Sequence, residues 1–184
     1  MDGYVTRMAT IKGGQKFQKA MDELAKKVST PGTLRVGFLA GARYPNGQPV
    51  AMIAAIQEYG APKVGIPPRP FFRTMIAKKE KEWPGAIKNL LKQTNYDVKL
   101  TLNLAGQAIS EQLKQSIRDT NDPALSPVTL MLRKMFGNHP EQIRGRDVAE
   151  ARHRVAAGES YGGVSTKPLI WTGFMISRVS YEVK

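Results

Sequence analysis

The stretch from Val98 to Ile117, VKLTLNLAGQAISEQLKQSI, reads as the spine of the fold. Leu102, Ala105, Ile109, Leu113 and Ile117 recur at intervals of three and four, which puts them on one face of an α-helix with polar residues opposite. Thr120-Asn121-Asp122-Pro123 ends the pattern, because proline lacks an amide donor and restricts the residue before it.

Upstream of this spine, an extended start leads into Gln15 to Val28, where Phe17, Met21, Leu24 and Val28 share a helical face and lysines occupy the rest. Ser29-Thr30-Pro31-Gly32 breaks that helix. Thr33 to Leu39 then alternates, with Leu34, Val36 and Phe38 on one side, as a half-buried strand does. Gly41 to Pro49 carries two prolines and two glycines and reads as an exposed, hairpin-like loop around Tyr44-Pro45-Asn46-Gly47. The small-apolar run from Val50 to Tyr59 predicts a short buried helix stopped by Gly60 and Pro62.

Pro70 opens a further helix through Phe71, Met75 and Ile76, which Pro84 breaks or kinks before Ala86 to Gln93 resumes it. Downstream of the spine, Pro127 to Phe136 and Arg146 to Ala157 predict two more helices around a turn at Gly137 to Pro140. The polar, Gly-rich Gly158 to Thr166 follows, and 137–166 as a whole is the segment expected to be mobile or ordered by a partner. The alternation from Ile176 to Val183 predicts a terminal strand. The sum is one α+β domain over 1–184, a small, mostly antiparallel sheet of two or three strands packed against three or four helices.

The 184 residues carry 28 Lys and Arg against 15 Asp and Glu, a net charge of +13, so an acidic partner is expected. With no cysteine, disulfides and thiolate chemistry are excluded and a reducing compartment suits the chain. The first residues, Met1 to Arg7, lack a basic and then apolar leader, and the longest apolar run, Val50 to Ile56, is far short of a bilayer span, so neither export nor a membrane partner is expected.

Catalytic material is thin. His139 and His153 have no zinc-site spacing, no nucleophile elbow or phosphate loop occurs, and Glu80 and Glu82 point to different helix faces. No catalytic residue, metal or cofactor is expected. Arg133, Lys134, Arg144, Arg146, Arg152 and Arg154 form the best basic patch, but no aromatic lies between Arg144 and Arg154 to stack on a base. Nonspecific contact with nucleic-acid phosphates and docking on an acidic protein both stay open for it.

Ile56-Gln57-Glu58-Tyr59-Gly60 followed by Ile66-Pro67-Pro68-Arg69-Pro70-Phe71-Phe72-Arg73 resembles the signature of small tailed-phage tail-completion and head-tail joining proteins. Pro168-Leu169-Ile170-Trp171-Thr172-Gly173-Phe174-Met175, with the strand after it, is similar to that family's P-L-x-D-T-G-x-L segment. Leu125-Ser126-Pro127-Val128-Thr129-Leu130 is similar to a stretch of related virion-morphogenesis proteins. About 40 of the 184 residues are covered, in the family's order, with Trp171 where an aspartate is usual and Arg178 where a serine is common.

The resemblance implies a noncatalytic virion protein at the neck or tail top, assembled in the host cytoplasm as a homo-oligomeric ring, a hexamer being one candidate. Its partners would be neighbouring neck, connector, tail-tube or terminator proteins. Packaged DNA would be a further, nonspecific contact. Proline stiffening at Pro67 and Pro68 holds Arg69 at low entropic cost. Tyr44, Glu58, Tyr59, Pro67, Pro68, Arg69, Phe71, Phe72, Arg73 and Trp171 are the expected interface residues, with burial in the core as the competing reading for Phe71, Phe72 and Trp171.

Overall fold

A computed structural model describes residues 14–184, and the expected extended start lies outside the described residues. The chain is α+β: eight helices and one antiparallel pair of strands occur among the described residues. In order these are α1 (Gly14–Val28), β1 (Leu34–Phe38), α2 (Val50–Tyr59), α3 (Phe71–Lys79), α4 (Trp83–Gln93), α5 (Val98–Asp119), α6 (Pro127–Phe136), α7 (Gly145–Ala156), α8 (Phe174–Ser177) and β2 (Val179–Val183). None of these helices is long and apolar enough to cross a membrane.

The predicted spine is α5. Asp97 caps its N-terminus, accepting from the Leu100 amide at 2.9 Å, and Ala105, Leu113 and Ile117 are buried along it. It lies against both strands, which pair with Leu34 opposite Val183 and Val36 opposite Tyr181. The sheet joins the strand that follows α1 to the last strand of the chain, and among the described residues β2 is the only strand that pairs with β1.

Two side-chain hydrogen bonds tie the neighbouring helices to α5. Ser116 Oγ donates to the Phe71 carbonyl of α3 at 2.6 Å, and Trp83 Nε1 of α4 donates to Gln112 Oε1 at 2.9 Å. Pro84 sits in the first turn of α4, where its missing amide costs nothing, so the break falls at Glu80–Glu82 and the second helix starts at Trp83 rather than Ala86.

The terminal strand begins at Val179, later than the alternation predicts. Gly173 adopts a left-handed backbone at φ 75° and Thr172 Oγ1 accepts from the Phe174 amide, so Phe174 to Ser177 coil into the single turn α8. That turn buries Met175 and brings Ile176 against the core.

Buried apolar residues form two clusters. The larger joins Val50, Ala54, Phe71, Met75, Leu113, Ile117, Leu169, Met175 and Val179, and the smaller centres on Met131, Leu132 and Ala151 where α6 packs on α7. Segment 137–166 contributes α7 to this second cluster, and its Gly-rich end is tied back to α6 by Lys134, which reaches the Ser160 carbonyl and the Glu159 carboxylate. Among the described residues neither cluster includes a side chain of α1.

The closest approach of α5 to the sheet occurs at Gly106. A Cβ there would lie 2.7 Å from Tyr181 Cγ and 2.8 Å from Leu34 Cδ1. In an open helix, Gly to Ala gains roughly 1 kcal/mol; here, overpacking against a ring and a core leucine costs about 1–3 kcal/mol and wins. Gly85, in α4, has open space around it. Urea denaturation is therefore expected to show Gly106→Ala destabilising by about 1–2 kcal/mol and Gly85→Ala stabilising by roughly 0.5–1 kcal/mol.

Candidate functional site

Helix α3 starts without a local cap. Its N-cap position is Pro70, which has no side-chain acceptor, and no acidic residue stands in its first turn. Its exposed amides must be satisfied from elsewhere. Glu58, at the end of α2, does this: its carboxylate accepts from the Phe72 amide at 2.8 Å and the Arg73 amide at 3.1 Å. Arg73 completes the clamp, donating from Nε to the same carboxylate at 2.9 Å and from Nη2 to the Glu58 carbonyl at 3.1 Å.

Only 4% of Glu58 is exposed. Burying a carboxylate costs several kcal/mol, but each charge-assisted hydrogen bond contributes about 1.5–3 kcal/mol, and the positive end of the α3 dipole adds to them. The half-exposed Arg73 side chain adds less, because water screens it.

Between the two ends of the clamp, the chain turns back on itself. Ala61 and Ile66 exchange backbone hydrogen bonds of 2.8 and 3.1 Å, and the Arg69 amide donates to the Gln57 carbonyl at 2.7 Å. Gly60 allows this return: its φ is 75°, and a Cβ would sit 2.7 Å from Pro68 N and 2.9 Å from the Ile66 oxygen. The loop leaves Tyr59, Val64, Pro67 and Pro68 exposed, with Arg73 stacked over the Tyr59 ring at 4.8 Å.

Arg69 is drawn inward. It is 5% exposed and donates to the Pro123 carbonyl at 3.0 Å, Gln57 Oε1 at 3.3 Å and the Ala124 carbonyl at 3.4 Å. Phe71 is core, edge-on to Phe38, and Phe72 is half-buried over Gly37. The expected interface set thus divides: Glu58, Arg69 and Phe71 hold the fold, while Tyr59, Pro67, Pro68 and part of Arg73 face outward.

The basic patch divides as well. Arg133 is 4% exposed; its Nη atoms donate to the Ser165 and Lys167 carbonyls, and its guanidinium lies 5.3 Å from the Trp171 ring centre. Arg144 donates to the Glu141 and Ile143 carbonyls, and Arg154 pairs with Glu150 at 2.8 Å. Arg146 and Arg152 are exposed, and Arg146 has only a long 3.7 Å contact to Asp147. The six residues do not converge on one free surface.

The two buried arginines instead line one cleft of about 800 Å³, at the junction of the two apolar clusters. Tyr44, Ile53, Leu125, Trp171 and Phe174 line it too, with His139 and Glu141 3.0 Å apart. Tyr44 stacks on Phe174 at 4.9 Å, and burial holds its hydroxyl above the ordinary tyrosine range. Trp171 Nε1 donates to the Gly137 carbonyl and closes one wall of the cleft.

Sequence reasoning missed the clamp and the cleft. A helix opening on Pro67-Pro68-Arg69-Pro70, with no capping side chain, was itself a signal that a remote acceptor is needed. Among the described residues no group of three or more His, Asp or Glu gathers as a metal site. Comparison with protein-family models, curated proteins and solved structures finds no match for this chain.

Replacing Glu58 should unfold the clamp in graded steps. Glu58→Gln is expected to lower stability by about 1–3 kcal/mol and Glu58→Ala by more, while Arg73→Met costs under about 1 kcal/mol. Denaturation midpoints check this order; an Arg73→Met loss equal to that of Glu58→Ala would show the ion pair, not the helix cap, to be the stabilising element.

Proposed function

We propose that this chain is a structural virion protein of a tailed phage, forming a ring at the neck or tail top that completes the tail or joins it to the head. The observation that carries the reading is α1. Its Phe17 is 67% exposed, Met21 and Val28 are exposed, and among the described residues neither core cluster takes any of its side chains. An amphipathic helix held out in this way is suited to burial in another chain.

A closed ring needs a heterologous contact, in which two different patches meet. The second patch is Leu100 and Leu104, exposed and one turn apart on α5. The rigid Gly60 to Pro68 loop offers an aromatic and proline rim beside such contacts. The order of the family-like motifs in the sequence supports the same assignment, and the clamp gives Glu58, Gly60, Arg69, Phe71 and Arg73 a physical reason to occur together.

The rival reading, a basic module that holds nucleic-acid phosphates without reading bases, draws on the net charge of +13. It has less support from the patch first assigned to it, where Arg133, Arg144 and Arg154 are already engaged.

Sedimentation velocity separates these readings. The intact chain is expected to form one closed oligomer, and Phe17→Asp with Met21→Asp, or Leu100→Asp with Leu104→Asp, to give monomers of unchanged helical content. A chain that stays monomeric at all concentrations yet binds duplex DNA with a steep salt dependence would favour the rival.

A further inference from the structure

Among the described residues, the guanidinium groups of Arg69 and Arg133 donate only to neutral acceptors: four backbone carbonyls and the Gln57 amide oxygen. Arg133 Nε is buried and finds no acceptor among those residues. Among the described residues neither guanidinium has a carboxylate within ion-pair distance, and the one carboxylate lining the cleft, Glu141, is engaged with His139. Carbonyls satisfy the hydrogen bonds of a guanidinium but do not cancel its charge. Burial weakens the hold of both groups on their protons, and in Arg133 the charge of Arg69 weakens it further, so the two charges sense each other. Both stay protonated, because arginine does not release its proton in proteins.

The result is a concave, apolar-walled cleft with two uncompensated positive charges behind its surface. Low-dielectric walls focus that potential into the opening. The volume of about 800 Å³ lies within the range that encloses a small ligand or a short chain segment.

We propose that this cleft takes an acidic segment of a neighbouring polypeptide, an Asp or Glu carboxylate settling toward Arg69 and Arg133 while the segment's apolar side chains lie on Ile53, Leu125, Trp171 and Phe174. The walls decide between a peptide and nucleic acid. Arginines more than nine-tenths buried in a recess are out of reach of a duplex backbone, which binds to open, exposed basic surface. A carboxylate flanked by apolar residues matches both the charge and the lining. The inference deepens the neck reading by giving the chemistry of a neighbour, yet it does not require that the chain form a ring.

Trp171 supplies the probe, since the chain has two tryptophans and Trp83 lies on α4 outside the cleft. In full-length Trp83→Phe, the emission of Trp171 is followed while adding acetyl-Leu-Asp-Leu-Glu-Leu-amide, its Asn/Gln counterpart, or sodium phosphate. The acidic peptide is expected to give a saturable change, with affinity at least about tenfold weaker for the amide version. Arg69→Met and Arg133→Met should reduce it to the amide level. In case those variants fail to fold, Ile53→Phe, which fills the cleft and keeps both arginines, should abolish it with circular dichroism unchanged. No response to the acidic peptide, equal affinity for both peptides, or a response to phosphate alone would each overturn the proposal. Self-association is read separately by sedimentation, so failure here and failure of the ring reading are distinguishable.

Discussion

The structure depends on a carboxylate placed at a helix end that has no cap of its own. Pro67-Pro68-Arg69-Pro70 delivers the chain into α3 with nothing to accept the first amides, and Glu58 reaches across from α2 to do so. Once that contact exists, the turn between the helices is fixed, Gly60 is the residue that fits under Pro68, and Phe71 is carried into the core. Arg69 then staples the same turn to the segment after α5, which in turn positions α6. A short run of sequence thus sets the relation between the two apolar clusters.

The motif therefore separates inward from outward roles along a few residues. A proline-flanked arginine just before two aromatics looks like an interface hot spot when only the sequence is read. In the fold its guanidinium is spent on carbonyls, and the outward surface belongs to Tyr59, Val64, Pro67 and Pro68. Backbone hydrogen bonds between Ala61 and Ile66 and from Arg69 to Gln57 hold that loop in one conformation, so a contact surface can be presented already ordered.

Helices α1 and α5 were legible because their apolar positions recur at helical spacing, α2 because its small-apolar run stops at Gly60 and Pro62, α6 and α7 because Gly and Pro mark the turn between them, and β1 because its residues alternate. The end of the chain was not, since Ile176 and Ser177 fit an alternating pattern while Gly173 and Thr172 favour a local turn before the strand. Glu58 and Arg69 escaped because their partners lie many residues away, 14 for the Phe72 amide and 54 for the Pro123 carbonyl, where no periodicity reports them. Arg133 escaped for a different reason: in Met131-Leu132-Arg133-Lys134 it reads as one of a basic pair, yet its helix face turns it into the cleft and its neighbour outward. Charge counted along a sequence measures the total and not the share that is free to meet a partner.

An exposed amphipathic helix, a preordered loop and a positive cleft are the features on which the proposed association with other chains rests. Imaging the purified full-length chain by negative-stain electron microscopy, alone and mixed with tail tubes, tests that account most directly. Rings of a single size that seat on the tube end are the predicted result; isolated particles of monomer size that ignore the tubes would contradict it.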